Sequence, residues 1–131
     1  DEFSEWQKGI NNGTREAPKN FADAVNIWRV SQLPRETLFQ KVPIAILAFG
    51  KVAFVGFGGE PFTEYAAKAR EAGKDLYVIT ACLTDGGQGY LPTKDAFDEG
   101  GYEAANSRFD SSVAEILQNG AAELLKEYKN Q

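Results

Sequence analysis

The sequence predicts an α/β fold: a mixed β-sheet with a β-hairpin and a βαβ unit, flanked by helices. Three observations predict it. Two β-rich runs, 42–49 and 52–57, stand on either side of Gly50-Lys51, the spacing of a two-residue hairpin. An amphipathic segment, 62–72, separates the second run from a third at 76–83, as a crossover helix separates parallel strands. A long apolar stripe then runs through 113–128, enough for a covering helix.

Composition sets the outer bounds. At 131 residues, 43% hydrophobic and 25% charged, the chain reads as a single globular domain over 1–131 that is large enough to bury a core. The net charge is −5, with 14 basic residues scattered among 19 acidic ones. That distribution argues against nucleic acid or an anionic membrane surface as partner. No apolar run reaches membrane-spanning length, and the first residues show no signal pattern, so the compartment stays open. With no histidine, neither a Ser-His-Asp triad nor a histidine-built metal centre can be completed from this chain alone. The single cysteine, Cys82, excludes an internal disulfide, and its apolar strand context reads as a buried, inert thiol. The chain starts at Asp1 and contains no methionine; the expectation is a processed product or a piece of a longer protein.

Taken in order, residues 1–19 form an irregular or helical lead-in broken by Gly9, Gly13 and Pro18, with Trp6 and Ile10 as anchors. Asn20 caps a helix over about 21–32, whose stripe of Phe21, Ala24, Val25 and Trp28 places Trp28 in a core. Pro34 stops it. The hairpin follows, and its second strand is apolar nearly throughout, as in a strand covered on both faces. Gly58-Gly59 turn the chain into a helix with Phe62, Tyr65, Ala66 and Ala69 on one face, ending near Gly73. A further buried strand spans 76–83 and leads through Asp85-Gly86-Gly87-Gln88-Gly89 to Tyr90. Pro92 and Thr93 open a short helix over 94–99, closed by Gly100-Gly101. Its acids Asp95, Asp98 and Glu99 lack calcium-loop spacing and read as a solvated face. Ser112 and Glu115 have capping-box spacing ahead of the last helix. Val113, Ile116, Leu117, Ala121, Leu124, Leu125 and Tyr128 form its apolar face, with Gly120 placed for close packing.

Chemistry gathers where the βαβ unit ends. If both strands of the unit point the same way, Glu60 and Tyr90 lie just beyond their carboxyl ends, the edge at which open α/β sheets place their sites. Glu60 has two readings. At a helix start it caps free N–H groups; as an ionised carboxylate it is also a ligand for a hard or borderline metal. Tyr90 is either a packed loop tyrosine or the partner of Glu60. The glycine-rich runs Gly56-Phe57-Gly58-Gly59 and Gly86-Gly87-Gln88-Gly89 match no nucleotide-binding pattern.

The segments Gly59-Glu60-Pro61-Phe62-Thr63-Glu64, Gly89-Tyr90-Leu91-Pro92-Thr93 and Glu99-Gly100-Gly101-Tyr102-Glu103, in that order behind the hairpin strand at Lys51–Gly56, resemble the neutral/alkaline non-lysosomal ceramidases. The resemblance covers about 42–128 and corresponds to the C-terminal part of that family's catalytic domain. It implies a zinc amidohydrolase that cleaves the N-acyl bond of a sphingolipid-like amide. By the same resemblance Glu60 and Tyr90 are zinc ligands, and Tyr102 is the catalytic phenol that polarises the scissile carbonyl. Two further zinc ligands in the family are histidines from an earlier segment, which this chain lacks. The resemblance therefore implies a chain inactive by itself, whose partners are the remainder of the catalytic domain and a lipid amide, with secretion or an extracytoplasmic setting expected from the family. As a piece of a larger unit it would expose apolar surface and self-associate as a homo-oligomer. Two alternatives have no chemistry: an interaction module that keeps the fold, and a small-molecule-binding domain built on the glycine-rich loops.

Overall fold

The computed structural model describes residues 39–130 together with Ser4, Lys8, Gly9, Gly13, Ala24, Val25, Ile27 and Trp28. The chain divides into two compact units, residues 1–40 and residues 41–131. In the first, Ala24, Val25, Ile27 and Trp28 are helical, as are Ser4, Lys8 and Gly9. Trp28 departs from the core position expected of it: the indole is 51% exposed, and Ala24, Val25 and Ile27 are only half-buried. A stripe so thinly covered cannot enclose the largest side chain on it. Trp6, Ile10, the Asn20 cap and the stop at Pro34 lie outside the described residues.

The second unit carries the α/β architecture. Strands β1 (Ile44–Phe49) and β2 (Val52–Phe57) form an antiparallel hairpin with Phe49 opposite Val52. Gly50 makes the two-residue turn at φ 57, a value glycine takes without steric cost. The chain then passes through β3 (Glu60–Pro61) and helix α1 (Thr63–Ala72) into β4 (Tyr77–Ala81), which is parallel to β2. The main sheet is therefore mixed, in the order β1-β2-β4. Strand β5 (Tyr90–Leu91) pairs in parallel with β3 as a second, two-stranded sheet. Helices α2 (Lys94–Glu99), α3 (Tyr102–Asn106) and α4 (Val113–Lys129) complete the unit. Among the described residues no helix is long and apolar enough to cross a membrane.

The core lies between one face of the main sheet and the helices. Ala53, Val55 and Phe57, the inward set of β2, are fully buried, and they meet Tyr65 and Ala69 of α1 and Leu117, Ala121 and Leu125 of α4. Helix α4 packs on α1 and β1. Gly120 permits that approach, since a Cβ there would stand 2.9 Å from Ile44 Cδ1. The last turn of α4 is tied down by Tyr128 Oη donating to the Gly50 carbonyl at 3.0 Å and by Lys129 Nζ on Asp75 at 2.6 Å. The same lysine holds the Asp75 carboxyl below its usual range. Helix α2 begins as its sequence suggests: Thr93 Oγ1 accepts from Ala96 N at 3.3 Å, and Gly100 at φ 80 ends it.

Several local expectations give way to particular neighbours. Glu60 does not start the helix. It lies in β3, because the residue before a proline is driven out of the α region, and α1 opens later behind Phe62, which makes no side-chain cap. The run at 76–83 is strand only to Ala81, and Cys82 is exposed rather than buried. Tyr77 and Ile79 face outward, and Phe54 of β2 is 37% exposed, so the sheet is covered well on one side only. Apolar residues on that outer side made the strands read as covered on both. The Ser112–Glu115 capping box is not formed. Asp110 Oδ1 accepts from both the Ser112 amide and the Ser112 hydroxyl, so the hydroxyl is engaged before it can cap. These bonds hold the Asp110 carboxyl below the usual range. Ile116, expected on the apolar face of α4, is 63% exposed.

Tyr65 brings an unpaired polar group into this core. Its ring meets Phe57 edge-on, with centroids 5.3 Å apart and planes at 84°, while its buried hydroxyl has no hydrogen-bond partner among the described residues. Burial pushes the phenol well above its ordinary value. Because the folded-state value exceeds the unfolded one of about 10, the unfolded chain releases this proton first. Stability is therefore intact below pH ~10 and falls as pH rises beyond it. Tyr65→Phe is expected to gain about 1 kcal/mol at neutral pH by removing an unpaired buried hydroxyl, and to flatten the alkaline loss. Urea unfolding on both sides of pH ~10 measures both effects; a variant less stable than the parent at neutral pH would contradict this account.

Candidate functional site

The site is built where β2 and β4 end. Beyond Phe57 the chain turns through Gly58-Gly59, and both positions require the absence of a side chain. A Cβ on Gly58 would stand 2.6 Å from the Pro43 ring, and one on Gly59 would stand 2.8 Å from the Gly89 carbonyl and from Leu91 Cδ1. The Pro43 ring fills the space at Gly58, and the segment after β4 comes into the space at Gly59. Leu83 and Asp85 both adopt φ 55 and Gly89 φ 85, three left-handed residues that curl the chain back on the end of β2. Four backbone hydrogen bonds fasten it there: Thr84 N to Phe57 O at 3.0 Å, Leu83 N to Gly59 O at 2.8 Å, Gln88 N to Gly58 O at 3.0 Å and Glu60 N to Gly89 O at 2.9 Å.

This strap sets the register of the small sheet. Glu60 lies opposite Tyr90, and Pro61 opposite Leu91. Register partners on parallel strands project to the same side, so the carboxylate and the phenol are neighbours although 30 positions apart in sequence. Leu91 and Pro92 are buried beneath them, while Glu60 and Tyr90 are half-buried. Ser107, just past α3, donates its hydroxyl to the Tyr90 carbonyl at 2.9 Å and accepts from Phe109 N at 3.3 Å. That anchor was not foreseen; a lone serine after a short helix carries no signal for a partner 17 positions back.

Tyr102 joins from the other side. Gly100 and Gly101, at φ 80 and 113, swing the chain from α2 into α3, and Tyr102 is the first residue of α3. Its ring meets Tyr90 edge to face, with centroids 5.9 Å apart and planes at 75°. Tyr102 remains 66% exposed, so its phenol stands at the rim. The structure thus brings together Glu60, Tyr90 and Tyr102.

Electrostatics follow from the grouping. Burial raises the Tyr90 phenol above its ordinary value, and the charge of Glu60, then Tyr102 and Glu103, push the same way. Glu103 is a fourth member that sequence reasoning quoted without giving it a role. Each of these influences disfavours a second negative charge beside Glu60. A cation between Glu60 and Tyr90 would reverse that balance by stabilising carboxylate and phenolate together. The Glu60 carboxylate is an oxygen donor of the kind that divalent metals accept. Among the described residues no three His, Cys, Asp or Glu side chains stand together as a metal site. Two amides of the glycine-rich runs are already engaged, Gly58 N with Pro43 O and Gln88 N with Gly58 O.

Comparison with protein-family models, with curated proteins and with solved structures returns no match.

Removing the charge at Glu60 tests the pairing. Glu60→Gln is expected to lower the pH at which Tyr90 titrates, because a phenolate no longer forms beside a carboxylate. Titration of carbon-13-labelled tyrosine by NMR reads this directly. A Tyr90 titration that does not move would contradict the proximity.

Proposed function

We propose that this chain is the C-terminal segment of a ceramidase-like zinc amidohydrolase acting on the N-acyl amide of a sphingolipid-like substrate, and that it is inactive when isolated. The observation that carries the reading is the placing of Glu60, Tyr90 and Tyr102 together by the strap and by the Gly100-Gly101 turn. These are the residues that the motif resemblance singles out. In this reading Glu60 and Tyr90 hold zinc jointly with two histidines contributed by the remainder of the catalytic domain. Bound there, zinc would supply a Lewis acid that makes water nucleophilic near neutral pH.

The chain's own residues then divide the work. Glu60 brings a full negative charge from a rigid strand position, fixed by its amide bond to Gly89. Tyr90 is held against it by its β3 partner and by Ser107. Tyr102, at the rim and edge-on to Tyr90, is placed to donate its phenolic proton in a hydrogen bond to an oxyanion developing on a bound acyl group. The acidic surroundings explain why the pair would need its cation: without one, Tyr90 keeps its proton and Glu60 is left with solvent.

The test is made in the full-length parent. Glu60→Gln is expected to lower zinc content and N-acyl amide hydrolysis together. Tyr102→Phe is expected to retain zinc and to lose about 10²–10³ in kcat, the usual cost of one oxyanion donor. Metal analysis beside a single-substrate assay separates the two. Unchanged zinc and activity in Glu60→Gln would remove the assignment, whereas a parent without upstream histidine motifs would favour the reading of the chain as a non-catalytic interaction module.

A further inference from the structure

The outer side of the main sheet carries rows of apolar side chains that run across all three strands. Phe49, Val52 and Tyr77 are register partners in one row, and Leu47, Phe54 and Ile79 in the next. Both helices that build the core, α1 and α4, pack on the opposite face, where Ala53, Val55 and Val78 are buried. On the outer side Leu47 is 66% exposed, Phe49 58%, Tyr77 73% and Ile79 47%. Neither row contains an ionisable group other than the Tyr77 phenol. The patch ends where Thr84 folds over Gly56, its Oγ1 occupying the place a Cβ would take.

From this surface we infer that the chain forms a two-fold dimer in which the outer faces of two β1-β2-β4 sheets pack on each other. Three observations select a second copy as the occupant. The first is area: taking about 150–250 Å² for each fully exposed large side chain, the two rows present roughly 600 Å² per copy. Paired across a two-fold axis they bury about 1,200 Å² in all, the lower end of what a stable interface needs. The second is charge: a face without formal charges meets its own copy with no desolvated ion, whereas a charged partner would leave its own charges unmatched. The third is shape: equivalent twisted sheets stack face to face at about 10 Å with interleaved side chains, the arrangement of a β-sandwich. An isologous contact also closes after two copies and does not propagate. The inference is independent of the metal reading, since the face lies apart from the Glu60–Tyr90 pair.

Sedimentation equilibrium of the full 131-residue chain, from micromolar towards millimolar concentration, tests it. A single monomer–dimer equilibrium is expected. Leu47→Glu and Tyr77→Glu each place a charge in the contact and are expected to weaken the dimer at least tenfold. Both side chains are exposed in the monomer, so far-UV circular dichroism, and the melting temperature at concentrations where the parent is monomeric, should change little. Ile116→Glu, on exposed surface of α4 away from the sheet, is the control and is expected to leave the dimer intact. If one glutamate variant fails to fold, the other still reports. A monomer at every concentration would show that this face is covered from within the chain or left bare, and would overturn the inference. So would a dimer indifferent to both glutamate variants, or one weakened equally by Ile116→Glu.

Discussion

The pairing of Glu60 with Tyr90 depends on one backbone strap: the hydrogen bonds that lay residues 83–89 along residues 57–60. A backbone laid this closely on another needs glycine where they touch, and Gly59, against the Gly89 carbonyl, is that position; Gly58 beside it makes room for the Pro43 ring. The strap also needs the incoming chain to reverse within a few residues, which Leu83 and Asp85 do by accepting left-handed conformations that cost side-chain-bearing residues about 1 kcal/mol or more each. Four hydrogen bonds in a half-buried setting offset that cost, since each contributes of order 1 kcal/mol. The product is a two-residue parallel pairing too short to be stable by itself. It exists because the strands before it and the buried Leu91 and Pro92 after it are fixed.

The layering around the strap explains its rigidity and leaves one surface open. Helices α1 and α4 share a single face of the main sheet, and the side chains of β2 on that face are fully buried. The carboxyl ends of β2 and β4 are therefore held from below, and the loops leaving them inherit a fixed origin. Covering only one face leaves apolar side chains on the other. The architecture thus separates two surfaces: a polar edge at the strand ends, where Glu60, Tyr90 and Tyr102 meet, and the apolar outer face of the sheet.

Much of this was legible in the sequence where a local signal is decisive. Gly50-Lys51 fixed the hairpin because few residues tolerate its turn. Thr93 and Gly100 bounded α2 because a cap and a left-handed stop are short-range effects. The approach of Glu60 to Tyr90 followed from strand order alone, once two parallel strands joined by a helix were recognised. What escaped was set by competition between neighbours or by burial. Pro61 denies Glu60 a helical conformation, a signal that the sequence carries next to the competing helix-start pattern. Asp110 takes the Ser112 hydroxyl that a capping pattern assigns elsewhere. The exposure of Cys82, Ile79 and Ile116 depends on which face the helices cover, and an apolar run looks the same in either case. Tyr102 had no local signal at all; it was singled out by motif resemblance, and its contact with Tyr90 is a product of the Gly100-Gly101 turn.

The central claim is that the strap, and not a bound ligand, puts the carboxylate and the phenol side by side. Amide hydrogen exchange followed residue by residue tests it most directly. The amides of Glu60, Leu83, Thr84 and Gln88, which make the strap, are predicted to be protected to an extent comparable with the β2 amides, in the chain alone and without added metal. Exchange of these four at the rate of an open surface loop would contradict the account, because the register of Glu60 with Tyr90 would then have no support within the fold.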